Sequence, residues 1–406
     1  MSGPLDGVRI LDLTTVGFGP YGVQILADYG ADVIKVEALD GDITRGIAPM
    51  RNPGMGHFFI NANRNKRSIA LDLKQTGARD ALLKLIQGAD AIITSIRPAA
   101  MERLGLGYED CKVANPSIVY VALVGFGQEG PYARRPAYDD VIQGLSGLAD
   151  MQGGPDGAPA YVKASICDKI CSQFCAHATL AALFHKEKTG SGQLVEVPML
   201  EAMVGFNMIE HNAGHTFIPN EGSTGYARAM APDRRPHATL DGYVSILPYN
   251  TKHWQDFFKL MGQEDMVDDL RVVDPKTRSI KIAELYEMAS KAVASWKTDE
   301  LLAALQENDI PNGRAMPLDH LAEDEHLKAV GVFQEYDHPT EGRIRHARPA
   351  VKFSETPQEV RLYPQTLGQD TVAVLEDVGF TRDELQELHQ TGAIFDAASK
   401  TKAAAE

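Results

Sequence analysis

Cysteine is scarce in this sequence, with four in 406 residues, and tryptophan scarcer still, with two. Cys167, Cys171 and Cys175 recur every four residues, which stacks them on one helix face. That spacing suits neither a disulfide framework nor the common zinc patterns. Together with Cys111 they read as buried thiols in a reducing cytoplasm, and no metal site is expected. Long apolar runs are missing too. No stretch reaches the roughly 18 uninterrupted apolar residues of a membrane-spanning helix. The opening segment MSGPLDGVRILDL lacks the basic-then-apolar order of a secretory leader, so a soluble, cytoplasmic protein without a membrane partner is expected. Basic residues are outnumbered, 40 Lys and Arg against 55 Asp and Glu, for a net charge of -15. Nucleic-acid binding needs a basic field and is excluded as a function class. An anionic small ligand is not excluded, because a few local cations and helix N-termini can hold phosphates against an unfavourable global field.

The first 200 residues alternate short β-rich runs with helical patterns, which predicts an α/β fold with a parallel sheet. Strands are expected at Val8–Leu13, Ala31–Glu37, Ser68–Leu73, Ala91–Thr94 and Ile118–Val124. Helices are expected at Tyr21–Tyr29, around 76–88 and around 99–113. Ligands of such sheets sit beyond the carboxyl ends of the strands. From about 139 to 206 the pattern reads as helical throughout. These features set a large domain at 1–215, a Gly-, Asn- and Pro-bearing linker at 216–238 and a small α+β domain at 239–330. In the small domain GYVSIL reads as a strand, with helices near 252–262, 281–293 and 298–307. A return segment, 331–406, contains the strand-like stretch 342–353 and completes the large domain.

Gly17-Phe18-Gly19-Pro20-Tyr21-Gly22 matches G-x-G-x-x-G after a strand, the dress of a dinucleotide-dependent oxidoreductase. Thr14, Thr15 and Val16 intervene where the tight turn should begin, and Glu37 leads into a Gly41-Asp42 loop rather than a ribose clamp. A strand-to-helix turn with Pro20 at the first helical position is the plainer reading.

The most informative stretch is 159–192. From Lys169 to Lys188 it forms a helical pattern apolar on nearly all sides until its charged last turn, closed by Gly190. Asp168 stands at its start. An N-cap is one reading, stabilising by about 1 kcal/mol. A carboxylate held for chemistry at a helix N-terminus is the other.

At this point the sequence resembles a known family. LDGVRILDLT, GADVIKVE with GDITRG, NANRNKRSIALDLK, IRPAAMERLGLGYEDCKVANPSIVYVALVGFGQEGP, AYDDVIQGLSGL and KTGSGQLVEVPMLEA follow one another as in the class III CoA-transferases. That group includes formyl-CoA transferase, carnitine CoA-transferases and α-methylacyl-CoA racemase. The resemblance spans nearly the whole chain. It implies a Rossmann-like large domain built from both chain ends, an interlocked homodimer, acyl-CoA and carboxylic acid substrates, no tightly bound cofactor, and Asp168 as covalent nucleophile. For coenzyme A it carries over Val16, Gly17, Leu71, Lys74, Ser95, Ile96, Arg97, Arg103 and Tyr138. Lys74, Arg97 and Arg103 have the charge to meet phosphates, and each could equally be ordinary surface. The family's basic contact after KVE is absent, Ala38 and Leu39 standing there.

A carboxylate suits the implied exchange because its mixed anhydride keeps the energy of a thioester, which a serine ester would lose. The racemase branch needs a His before the Asp of AYDDVIQ and a Glu in the small domain. Tyr138 and Asn250 stand there, and neither titrates usefully near neutrality. Formyl-CoA transferase has Gln and Trp where this sequence has Gly17 and Ile47, which argues against formyl or oxalyl substrates; a short dicarboxylic acid, with succinyl-CoA as donor, is expected from the arginines near the small domain. Arg228, Arg234 and Arg235 could pair with its second carboxylate or be solvated surface. A nucleotide-dependent oxidoreductase and a non-catalytic acyl-CoA-binding protein complete the readings.

Overall fold

Parallel strands buried on both faces need apolar residues at nearly every position, and this chain supplies them. The computed structural model describes residues 3–153 and 157–397. Six strands pair in parallel: β1 (Arg9–Leu13), β2 (Asp32–Glu37), β3 (Lys66–Leu71), β4 (Ala91–Thr94), β5 (Val119–Val124) and β6 (Leu194–Pro198). Every residue of β4 and β5 is buried. The small strands that follow are β7 (His237–Ala238), β8 (Tyr243–Ile246), β9 (Asn312–Arg314), β10 (Phe333–His338), β11 (Gly342–Ala347) and β12 (Ile394–Phe395). The main sheet runs β12-β3-β2-β1-β4-β5-β6, with β12 antiparallel to β3 at one edge. Its order reverses between β1 and β4, so the ligand crevice of a doubly wound sheet is expected beyond Leu13 and Thr94.

The helices Thr76–Gln87, Thr371–Asp377 and Arg382–Gln390 pack on the sheet through Leu82, Leu85, Val374, Leu375 and Leu385, against Leu11, Ile34, Ile69 and Ile92. The helices Phe18–Asp28 and Ile166–Thr189 lie together closely. A Cβ on Gly22 would stand 2.9 Å from the Ser172 carbonyl and 3.0 Å from the Cys175 Cβ. The glycines of the G-x-G-x-x-G match thus answer to packing: Gly19 likewise faces Thr14, 2.2 Å from where its Cβ would be. That helix begins at Phe18 with Gly17 as its cap, so Pro20 is the third helical residue rather than the first.

The chain divides into two units. One takes the residues up to 146, then 161–205 and everything from 330 on; the other takes 147–160 and 206–329. The second unit therefore includes the stretch 216–238 read as a linker. Backbone bonds tie that stretch to the preceding helix Met199–His211, with the Gly225 N–H donating to the His211 carbonyl at 2.9 Å. Around β7-β8-β9 this unit buries Trp254, Phe257, Phe258, Leu285, Tyr286, Leu301 and Leu305.

Three local expectations change. β6 lies within a segment read as helical, and it pairs with β5 from Tyr120↔Leu194 to Val124↔Pro198. The helix expected at 99–113 is two, Pro98–Arg103 and Tyr108–Ala114, parted at Gly105, whose φ is +68°. The strand-like 342–353 contributes only β11, which pairs with β10 in a separate ribbon, while β12 is the late strand that joins the main sheet. No helix among the described residues is long and apolar enough to cross a membrane.

Candidate active site

Two clefts open at the carboxyl ends of the strands. The first, about 680 Å³, is lined by Leu13, Val36–Asp42, Leu71–Lys74, Arg103 and Leu104. The second, about 640 Å³, is lined by Val16, Ser95–Pro98, Leu123–Gly125, Arg135, Tyr138, Asp168 and Met199 among others. They share Thr15, Ile96 and Ala100 and so form one continuous surface.

Asp168 is the third residue of the 24-residue helix Ile166–Thr189. It is not the cap: that position belongs to Ser165, whose side chain caps nothing. The Asp168 N–H instead donates to Oδ1 of Asp139 at 2.9 Å, so a carboxylate from the neighbouring helix Asp139–Leu145 satisfies it. Gln143 Nε2 donates to the other Asp139 oxygen at 2.6 Å. Asp168 is 9% exposed, and its own carboxylate accepts no hydrogen bond and meets no cation within 4 Å among the described residues. Burial pushes its carboxyl up to about 7, reinforced by Asp139 and Asp140 and opposed by Lys169. A raised carboxyl at a cleft, poised near neutrality, marks a candidate reactive group.

The turn from Thr14 to Gly17 faces it. Gly17 abuts the carboxylate, since a Cβ there would lie 2.6 Å from Asp168 Oδ2. Val16 adopts φ +69°, a left-handed conformation that a β-branched residue rarely takes. Behind the turn lies a cluster of buried ions. Lys66 Nζ donates to Asp12 Oδ2 at 2.8 Å, Lys35 Nζ to Asp42 Oδ2 at 3.2 Å, and Arg45 grips Glu37 through two 2.7 Å bonds. Burial alone would raise Asp12, Glu37 and Asp42. The adjoining cations and hydrogen bonds outweigh it and hold all three below the usual carboxylate range.

The sequence matches the family model described as CoA-transferase family III over residues 5–371. This chain is a family III CoA-transferase. It is 34% identical to "Probable fatty acyl-CoA transferase Rv3272" of Mycobacterium tuberculosis, over 76% of this chain and 81% of that one. It is 31% identical to "Formyl-CoA:oxalate CoA-transferase" of Streptomyces coelicolor, over 96% and 99% respectively. With "Succinyl-CoA:glutarate CoA-transferase" of Mus musculus it shares 30%, over 92% and 86%. The crystal structure of an Rv3272 mutant superposes with a TM-score of 0.81 at 30% identity, over 92% of this chain and 99% of that one. A CAIB/BAIF family protein from Brucella suis gives 0.78 at 28%, over 93% and 100%.

In this CoA-transferase the residues singled out from sequence fall largely into the paired clefts. Leu71, Lys74 and Arg103 line the first, and Val16, Ser95, Arg97, Tyr138 and Asp168 the second. Ile96 lines both, and Gly17 lies against the Asp168 carboxylate. Lys74, Arg97 and Arg103 are exposed and form no salt bridge among the described residues. Arg228, Arg234 and Arg235 belong to the second unit. Arg235 pairs with Asp233 at 3.0 Å and Arg234 is exposed, whereas Arg228 is half-buried, its Nε without a partner. Asn250 caps the helix Thr251–Leu260, its Oδ1 accepting from the His253 N–H at 2.9 Å. The four cysteines are free and buried, and burial pushes the thiols of Cys111, Cys171 and Cys175 up to about 12, which suits packing rather than nucleophilic work.

Sequence reasoning missed Asp139, Arg135 and the buried ions. Arg135 lines the cleft that holds Asp168, with its guanidinium 3.8 Å from the Tyr132 ring centroid. The available signal was a lysine inside the otherwise apolar strand sequence VIKVE, because a cation buried on both faces must have a partner.

Proposed function

We propose that this family III CoA-transferase exchanges coenzyme A between an acyl-CoA and a carboxylic acid through Asp168. The observation that carries the reading is a buried carboxylate that, among the described residues, meets neither hydrogen-bond donor nor cation within 4 Å, at the wall of a cleft. Such a group keeps its lone pairs for an incoming carbonyl, and desolvation strengthens its nucleophilicity once it is ionised.

In the proposed cycle an Asp168 oxygen attacks the thioester carbonyl, forming a mixed anhydride and expelling CoA thiolate. The thiolate attacks the aspartyl carbonyl, forming an aspartyl-CoA thioester and releasing the donor carboxylate. The acceptor carboxylate then attacks that thioester, giving a second anhydride and thiolate. Thiolate attack on the acceptor's carbonyl releases the new acyl-CoA and restores Asp168. No proton is gained or lost over the cycle, and each intermediate keeps the energy of a thioester. The first cleft, with Lys74 and Arg103, takes the nucleotide end of CoA. The second, with Arg97, takes the pantetheine arm toward Asp168.

For the acids we favour a short dicarboxylate pair with succinyl-CoA as donor. The name of the mouse relative, the departures at Gly17 and Ile47, and a guanidinium on Arg135 that lines the Asp168 cleft without an ion pair among the described residues support it. A homodimer, interlocked as the family resemblance implies, accounts for the exposed Phe206, Ile209 and Ile218, the last 97% exposed. Proton abstraction of the racemase kind fits poorly with Asn250 spent as a helix cap.

The test is chemical trapping. Incubation with succinyl-CoA followed by hydroxylamine should modify Asp168, as mapped by mass spectrometry. CoA-loaded protein without modification would sink the reading. An acceptor screen should then show glutarate-sized dicarboxylates well ahead of monocarboxylates, a preference lost in Arg135→Gln. Equal rates for both classes would refute the dicarboxylate assignment.

A further inference from the structure

Four backbone groups of the turn before Gly17, the Thr14, Thr15 and Val16 N–H and the Thr14 carbonyl, are each held by a buried or half-buried side chain from β1 itself or from the ends of its neighbouring strands and the loop after β2. Asp12 Oδ1 accepts the Thr14 N–H at 3.0 Å and the Thr14 hydroxyl at 2.5 Å. The Thr14 carbonyl accepts Lys35 Nζ at 2.8 Å. Ser95 Oγ, at the end of β4, accepts the Thr15 N–H at 3.1 Å, which bridges the point where the strand order reverses. Asp42 Oδ1 accepts the Val16 N–H at 3.3 Å. Asp42 is itself fixed by the Thr44 N–H at 2.9 Å, the Thr44 hydroxyl at 2.8 Å and Lys35 at 3.2 Å.

A left-handed β-branched residue persists only where its surroundings over-determine it. Here they do, at the one turn that touches the Asp168 carboxylate. Asp12, Lys35, Asp42 and Lys66 are each no more than 2% exposed, a dense investment of ions behind a four-residue turn. Two acids and two bases balance, so the cluster brings no net charge to the cleft. Its output is geometric.

We propose that Lys35 and Asp42 are positioning residues of the transfer reaction: they clamp the Thr14 carbonyl and the Val16 N–H, and so set Gly17 against the Asp168 carboxylate. This rests on the Asp168 reading above. Neither residue touches the reacting atoms. Loosening the clamp lets Val16 relax toward ordinary φ values, carries Gly17 away, and frees Asp168 to rotate out of line for attack.

The experiment uses the full-length protein and follows single-turnover acylation of Asp168 by succinyl-CoA with hydroxylamine quench, alongside CoA affinity by calorimetry. Asp42→Asn keeps an Oδ1 for the Val16 N–H but withdraws the oxygen that holds Lys35, so it opens the Lys35 side of the clamp and should slow acylation about tenfold or more, the scale on which small misplacements act, with a smaller change in CoA affinity. Adding Val16→Gly to Asp42→Asn should recover much of the loss, because glycine reaches φ +69° without a clamp. Merely structural support would show no such rescue. Thr44→Val removes one hydroxyl from Asp42 and serves as a milder variant that folds if Asp42→Asn does not; it should slow acylation by a few-fold. Acylation at the parental rate in both variants would overturn the proposal. So would CoA affinity falling in step with rate, or absence of rescue. If the parental protein is never trapped at Asp168, the nucleophile assignment falls with it. If the parent is trapped and the variants match it, only the clamp falls.

Discussion

Two groups of buried carboxylates stand toward the carboxyl end of the main sheet under opposite electrostatic rules. Asp12, Glu37 and Asp42 each meet a cation within 3.2 Å, and each is held below the usual carboxylate range. Asp168 and Asp139, buried to a similar depth, meet no cation within 4 Å among the described residues, and burial with its acidic neighbours pushes Asp168 up to about 7. Structural carboxylates are paired because an unpaired buried charge costs several kcal/mol. The candidate nucleophile is left unpaired because a cation or donor on its oxygens would compete with the carbonyl it must attack. The chain could bury ions with partners, as the first group shows, so the bareness of Asp168 is not for want of means.

The largest test of the contrast removes the reactive member. Asp168→Asn should lower transfer by on the order of a thousandfold or more and abolish the trapped adduct, as loss of a covalent nucleophile does. Initial-rate assays with succinyl-CoA, on protein checked by mass for absence of deamidation, decide it. Removing a structural member should act on stability instead. Lys66 donates to Asp12, to the Pro20 carbonyl and to Asn63 Oδ1 from a 2% exposed position. Lys66→Met strands Asp12 without its closest cation and should cost about 3–5 kcal/mol of unfolding free energy. Urea titration reads this directly, and a loss under about 1 kcal/mol would show that the pair is not what supports the strand ends.

How much of this was legible in the sequence follows the same division. The strands β1, β2, β4 and β5 begin and end within about two residues of expectation, because short, largely apolar, β-branched-rich runs bounded by turn residues specify a buried parallel strand. β6 was hidden because LVEVP is only five residues long, is broken by Glu196 and lies between two strong helical patterns, and it is a sheet-edge strand with exposed Leu194 and Glu196. Asp168 stood out through the helix it opens and, as a nucleophile, through the family resemblance. Its bareness could not be read, because that depends on where the other strand ends lie, and Asp139 reaches it from 29 residues away. The ion cluster was equally illegible. Asp12, Lys35, Asp42 and Lys66 look like unrelated charges until the order β3-β2-β1-β4 brings them together.

The next test asks what the bare carboxylate costs. The folded carboxyl titrates at about 7, above its unfolded value, so the folded state binds the extra proton at intermediate pH. Its stabilising contribution is therefore complete below about pH 4 and disappears as pH rises through 7. Asp168→Asn mimics the protonated form. It should match the parent near pH 4 and exceed it at pH 8 by about 2–4 kcal/mol, taking about 1.4 kcal/mol per unit and allowing for relaxation. Chemical denaturation at both values checks it. Equal stability at pH 8 would mean that the carboxylate is solvated, and the contrast with the paired group would lose its force.

The smallest expected effect concerns Asp139, which separates burial from like-charge repulsion as causes of the raised Asp168. In Asp139→Asn the Oδ1 acceptor for the Asp168 N–H is retained, while the negative charge beside it is removed. Burial is the larger cause and stays, so Asp168 should move down yet remain above an ordinary aspartate. Only the ionised carboxylate attacks, so the acid limb of acylation rate against pH should shift to lower pH by the same amount. The pH-independent plateau should stay near the parental value, because the helix N-terminus remains capped. An unmoved limb would assign the whole shift to burial. A limb that moves together with a collapsed plateau would show that Asp139 holds the geometry of Asp168 and not only its charge.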